Sequence, residues 1–466
     1  MTFNPNDWWL GGERVVVDGR IAPAWLRIAG GRIAEIARER PSAERAGRVV
    51  DAGRLTVLPG VVDTHVHVNE PGRTEWEGFS TATRAAAAGG VTTLVDMPLN
   101  SVPATTSVRA LEEKRAALDG KCAIDVGLWG GAVPGNAGEL VPMLRAGALG
   151  FKCFLVDSGV DEFPPLDAGG LEAALAAIAD ERAPLLVHAE LPGPLDEARA
   201  ALAREVTDVR SYLRYLRSRP PSAEDGAVAL VAETAGRTGG RAHIVHLSSA
   251  GALETLRRAR DRGTRLTAET TPHYLVFAAE AIPDGATEYK CAPPIREEAN
   301  RALLWSALRD GGIEMVVTDH SPCTPELKRR EAGDFEAAWG GIASLQLGLR
   351  AVWTEARARG ATLVDVVRWL STAPAALAGL DGRKGAIAVG ADADLVLFDP
   401  DARAVVDPAA LFHRHPVTPY AGRALDGAVA ATILRGAPIY VGEGAPPELG
   451  PAGFAPPSGR WVSASS

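Results

Sequence analysis

The sequence predicts an α/β chain: a (β/α)8 TIM barrel with a small β-sandwich-like domain built from both termini. Three observations lead there. At 466 residues the chain exceeds one small domain, and a barrel of about 250 residues with a companion domain accounts for it. In the middle, short β-branched runs alternate with Ala-, Leu-, Arg- and Glu-rich segments of helical period, the pattern of repeated βα units. The two ends instead carry short strands separated by glycine turns.

In chain order, "RVVVDG", "AWLRIAG", "GRIAEIA" and "RVVDAG" read as strands of the first half of the small domain, residues 1–57. The barrel is expected over 58–380, with eight strands near 61–67, 91–97, 123–129, 148–155, 184–189, 242–247, 264–270 and 314–319. The small domain resumes over 381–445 with "ADLVLFDP" and "AATILRGAPIYVG". Residues 446–466, rich in Gly, Pro, Ala and Ser, read as an extended tail, an arm or loose end. A closed parallel barrel gathers its chemistry where the strands end, on the C-terminal rim. Two long connections, "DSGVDEFPPLDAGG" and "HSPCTPELKRREAGDFEAAWGG", leave that rim and are long enough to cover a pocket, although a solvated loop is the plainer reading of each.

Composition narrows the function classes. Hydrophobic residues at 46% suffice for a large core, and 58 acidic against 49 basic side chains leave a charge of -9. No basic run with interleaved aromatics occurs, so nucleic acid is not the expected partner. The start has no charged segment followed by an apolar signal core, and no long uncharged apolar stretch follows, so the expectation is a cytoplasmic chain without membrane contact. Cys122, Cys153, Cys291 and Cys323 lack paired spacing and read as buried thiols.

The segment "VVDTHVHVNEPG" carries His65 and His67 two positions apart, so on a strand they share one face with Asp63. An isolated HxH can be two metal ligands or two hydrogen-bonded core histidines. Other strand ends decide between these: "PLLVHAE" ends at His188, "AHIVHLSS" at His246 and "MVVTDHSP" at Asp319. His243, an odd number of positions from His246, is expected to face away from it, against the surrounding helices. His273 and His320 are expected beside the ligands or against substrate. Lys152 in "LGFKCFLV" alternates inward with Gly150 and Phe154, while Cys153 points outward. Burial and neighbouring cations lower a lysine's pKa, and a neutral amine reacts with carbon dioxide to give a carbamate able to bridge two metals. An inward lysine paired with an acid is the plainer alternative, which five ligand-type residues on the same rim disfavour.

With these residues the sequence resembles the cyclic amidohydrolases: dihydroorotases, hydantoinases or dihydropyrimidinases, and allantoinases. The resemblance runs over nearly the whole chain. It implies two divalent metal ions, zinc first, with cobalt, manganese or iron compatible. His65, His67 and Asp319 would hold one ion, His188 and His246 the other, and a carboxylated Lys152 (N6-carboxylysine, made with CO2) both. "HVHVNEPGRTEWEGF", "TTLVDMPLNSVPATT", "GFKCFLVDSGVDEF", "CAPPIR", "TDHSPCTPELK" and "WGGIASLQ" are most similar to the allantoinase branch. Dihydroorotases carry an arginine where Asn69 stands, and hydantoinases a tyrosine where Asp157 stands. The implied substrate is therefore a small neutral, ureido-bearing ring, with Asn69, Asn100, Ser321 and His273 as candidate substrate contacts. Asp319 is the implied acid–base residue, and a homotetramer the implied assembly. A hydantoinase acting on other cyclic ureides is the alternative enzyme. A non-catalytic scaffold would have lost ligands, and all six are present.

Overall fold

The structure, a computed structural model, describes residues 7–42, 47–181, 183–205 and 208–464. The outermost residues of the expected 1–57 and 446–466 segments lie outside them. Eight parallel barrel strands occur where the sequence placed them: Val61–Val66, Val91–Asp96, Asp125–Leu128 continued by Gly130–Gly131, Phe151–Phe154, Pro184–His188, Arg241–Ile244, Leu266–Thr270 and Met315–Val316. These runs are buried on both faces, which is why they read as apolar blocks rather than alternating ones. The ring closes through a parallel bridge between Val66 and His320, with the His67 amide bonded to the His320 carbonyl at 2.8 Å. Helices follow the strands and cover the barrel, Ala227, Val228 and Val231 of Pro221–Thr238 packing into its core. Among the described residues no helix is long and apolar enough to cross a membrane. All four cysteines are buried and unpaired.

Two strands stop earlier than their sequence runs. The sixth ends at Ile244 because His246 turns to φ 38°, and the eighth ends at Val316 because Asp319 turns to φ 44°. Both are left-handed conformations that cannot continue a ladder. The Thr318 amide and hydroxyl instead bond the Asp63 carboxylate of the neighbouring first strand.

Both ends of the chain build one continuous nine-stranded sheet. Thr56–Pro59 joins the halves, pairing with Leu395–Val405 on one side and with Asp7–Val17 on the other. Its core includes Trp8, Leu10, Leu26, Ile28, Leu395, Leu397 and Ile433. The tail is an arm and not a loose end. Val126 of the third barrel strand donates to Arg460 O, and Val462 donates back to Val126 O, each at 2.9 Å. The arm thus extends the ladder along an edge of the third strand, below the point where Leu149 bonds Leu128. A side chain at Gly459 would meet the Ile124 carbonyl at 1.8 Å, so the approach requires glycine.

Sheet and barrel are locked by a buried charge cluster. Lys384, fully buried, bonds Asp125 of the third barrel strand at 2.8 Å and Asp394 at 2.6 Å, and lies 3.0 Å from Asp392. Arg435, just after Ala424–Leu434, also pairs with Asp125. The three carboxylates converge closely enough for a cation, and the lysine and arginine supply it. Removing one partner leaves buried charge uncompensated, at a cost of about 3–5 kcal/mol. Lys384→Met is therefore expected to lower the urea midpoint of unfolding markedly; an unchanged midpoint would show that the cluster does not hold the domains.

Candidate metal centre

A cavity of about 680 Å³ opens at the C-terminal mouth of the barrel. His65, His67, Lys152, His188, His246 and Asp319 all line it. Both long connections contribute wall, through Asp157 and Ser158 after the fourth strand and Ser321, Trp339 and Gly341 after the eighth.

The six polar groups fall into two sets. His65 Nε2 and His67 Nε2 lie 3.2 and 3.5 Å from Asp319 Oδ1, and these three side chains form a group able to hold a metal ion. His188 Nδ1 faces His246 Nε2 at 3.1 Å. That separation is close to the edge, about 3.3 Å, of a tetrahedron with Zn–N bonds of about 2.0–2.1 Å. Lys152 sits between the sets on the fourth strand, its Nζ 4.7 Å from the Phe154 ring centroid, with no ion pair among the described residues. Cys153 points away into the outer core, as alternation requires.

Protonation suits metal ligation. Burial drives His67 down to about 4 and lowers His188 and His246, so these rings carry free lone pairs at neutral pH. Burial likewise pulls the Lys152 ammonium down to about 8. For Asp319 burial acts upward, but the facing His65, His67 and His246 rings outweigh it and hold the carboxyl well below the usual range.

Two carboxylates that the sequence reading did not single out orient the rings. Glu269 of the seventh strand accepts from His65 Nδ1 at 2.5 Å, so His65 presents Nε2 to the cavity. Its other oxygen takes His243 Nε2 at 3.0 Å. Glu190 bonds His188 Nε2 at 2.8 Å and is itself clamped by Arg219, leaving the His188 Nδ1 lone pair aimed at His246. Burial opposes ionisation of both acids, yet the His65 and Arg219 partners keep each ionised, at about 2. The available signal was an acid two positions beyond a strand-end histidine in "HAE", and an inward-alternating acid in "LTAET". A donor set of imidazoles and a carboxylate, with its rings braced from behind, fits divalent metal.

His243 departs from expectation. It faces the barrel interior, bonding Glu269 and Thr267, while Ala242 and Ile244 face the helices. The parity argument fails because strand alternation stops at Ile244, and the left-handed His246 turns its own ring back inward. His320 is fully buried between Glu77 and the Ser344 and Leu345 amides, where it braces the mouth. Of the expected substrate contacts, Asn100 and Ser321 reach the cavity, and Ser321 Oγ donates to Asp319 Oδ1 at 2.8 Å. The structure does not bring Asn69 or His273 to the wall. Asn69, at φ 65°, turns back to bond the Pro322 carbonyl at 3.3 Å, and His273 is fully buried edge-on against Tyr274.

Comparison with known proteins bears on the same residues. Residues 56–439 match the amidohydrolase family pattern. The chain is 51% identical over 451 residues to an allantoinase of Streptomyces avermitilis, covering 97% of each chain. It is 48% identical over 388 residues to an allantoinase of Saccharomyces cerevisiae, covering 83% of each. In three dimensions it is similar to an L-hydantoinase (dihydropyrimidinase) from Arthrobacter aurescens, with a TM-score of 0.90 at 28% identity, covering 98% of this chain and 100% of the other. That match, a barrel with a sheet domain from both termini, agrees with the fold described above. The chain belongs to the amidohydrolase family.

Proposed function

We propose that the chain is an allantoinase, hydrolysing the cyclic amide of allantoin to allantoate with two divalent metal ions. The observation that carries this reading is identity of 51% to an allantoinase over almost its full length, against 28% to a hydantoinase of nearly the same fold. The fold is common to both enzymes, so the substrate branch is read from the residues. His65, His67 and Asp319 would hold one ion, His188 and His246 the second, and Lys152 both as its carbamate. A lysine lowered to about 8 by burial, with no ion pair among the described residues, supports that modification, since the neutral amine adds to CO2 with release of a proton. Zinc suits the donor set, and cobalt, manganese and iron are compatible.

Ions held there would polarise the ring carbonyl and lower the pKa of water toward about 7. Asp319 Oδ1, steadied by Ser321 Oγ, accepts the proton of the attacking water as its oxygen bonds the carbonyl carbon. The same carboxyl then gives that proton to the ring nitrogen as the C–N bond breaks. Asn100 and Ser321 contact the ring or its ureido group, while Asn69 and His273 act from behind the wall. The reading also has the enzyme as a homotetramer, by likeness to the family. A hydantoinase activity is the second reading, favoured by the TM-score of 0.90.

Assayed side by side with metal content measured on the same sample, allantoin is expected to be turned over far faster than hydantoin, dihydrouracil or dihydroorotate, with two ions per chain. Faster hydantoin turnover would favour the second reading. Lys152→Ala should abolish activity and reduce bound metal from two ions toward one, and added short carboxylic acids should restore part of the rate; full metal with near-normal rate would sink the bridging carbamate. In Asp319→Asn, kcat should fall by about 10²–10⁴ while substrate affinity changes far less, a split read from steady-state kinetics.

A further inference from the structure

Asn100 carries an unexplained feature. It lies more than nine-tenths buried, at 7% exposure, lines the cavity, and its side-chain amide makes no hydrogen bond within the chain among the described residues. An amide offers one carbonyl acceptor and an NH2 donor. That pair complements a ureido group, which presents N–H and C=O in the same spacing. The Asn100 backbone sits at φ 65°, a left-handed conformation that asparagine tolerates and that sets where its side chain points.

The side chain that bonds this backbone is Arg73. Its Nη1 donates to the Asn100 carbonyl at 2.8 Å, and the same nitrogen pairs with Glu162 of the connection after the fourth strand. The guanidinium lies 5.5 Å from the Trp76 ring centroid, and Trp76 meets Trp339 of the cavity wall edge-on at 5.0 Å. The Arg73 amide bonds Asn69 O at 3.1 Å, and the Val102 amide bonds Pro71 O at 2.9 Å, so the loops after the first and second strands are joined through their backbones. Arg73 itself is not part of the cavity lining.

We propose that Arg73 is a positioning residue that aims the Asn100 amide at the substrate's ureido group and so selects ureido-bearing rings over rings without one. The inference rests on the allantoin reading. Two misplaced neutral hydrogen bonds at about 0.5–1.5 kcal/mol each correspond to roughly 5–150-fold in affinity.

The test uses metal-loaded enzyme, with allantoin as substrate and hydantoin, which lacks the ureido arm, as competitive inhibitor. In Arg73→Ala the allantoin KM should rise about 10–100-fold with kcat within several-fold, while the hydantoin inhibition constant and the metal content stay unchanged. Arg73→Lys, which keeps the charge beside Glu162, should recover part of the loss and carries the test if the alanine variant does not fold. The double variant Arg73→Ala, Asn100→Ala should lose no more than Asn100→Ala alone. Equal weakening of allantoin and hydantoin, or losses that multiply in the double variant, would overturn the proposal. Absence of allantoin turnover by the unaltered enzyme would instead overturn the functional reading.

Discussion

The bond between the Glu269 carboxylate and the paired rings of His65 and His243 is the interaction around which the site is organised. A carboxylate in so dry a place persists as an anion because two imidazoles bond it, and their orientation is fixed in return. It ties the first, sixth and seventh strands at one height, and His65 can turn its other nitrogen nowhere but the cavity. Glu190 and Arg219 repeat the device for His188. The donor groups are thus braced before any ion arrives, and the rigidity comes from buried charge pairs rather than from loops.

Burial sets the chemistry as well as the geometry. The same desolvation that makes His67 and His246 neutral lowers the Lys152 ammonium, so burial shifts each of these groups toward its neutral, electron-pair-donating form. Where the chain needs a buried cation it builds compensation around it: Lys384 among three aspartates at the domain junction, Arg219 on Glu190 and Arg296 on Glu224. Among the described residues Lys152 makes no ion pair, and the Asp319 and Glu269 carboxylates that act on it do not offset its burial, which sets it apart from these paired cations.

Much of the molecule was legible in the sequence because its signals are local. Eight β-branched runs gave eight strands, and alternation within "LGFKCFLV" placed Lys152 inward and Cys153 outward. Alternation ceases to inform where a strand ends: the left-handed His246 and Asp319 stop the sixth and eighth strands short of their apolar runs, and His243 and His246 both face inward despite their odd spacing. Asn69 illustrates the same limit: it lies beyond the end of the first strand, and its left-handed backbone takes the side chain behind the wall.

The sequence alone determined the βα order, the flanking sheet and the residue types able to ligate metal, since period and side-chain chemistry are properties of a short stretch. Tertiary structure decided what those stretches share. It brought His65 and Asp319 within 3.2 Å of each other, placed Glu269 behind His65, set Arg73 against Asn100 and laid the tail along the third strand. Each of these joins residues far apart in the chain, which become neighbours only when strands and tail pair into one closed structure.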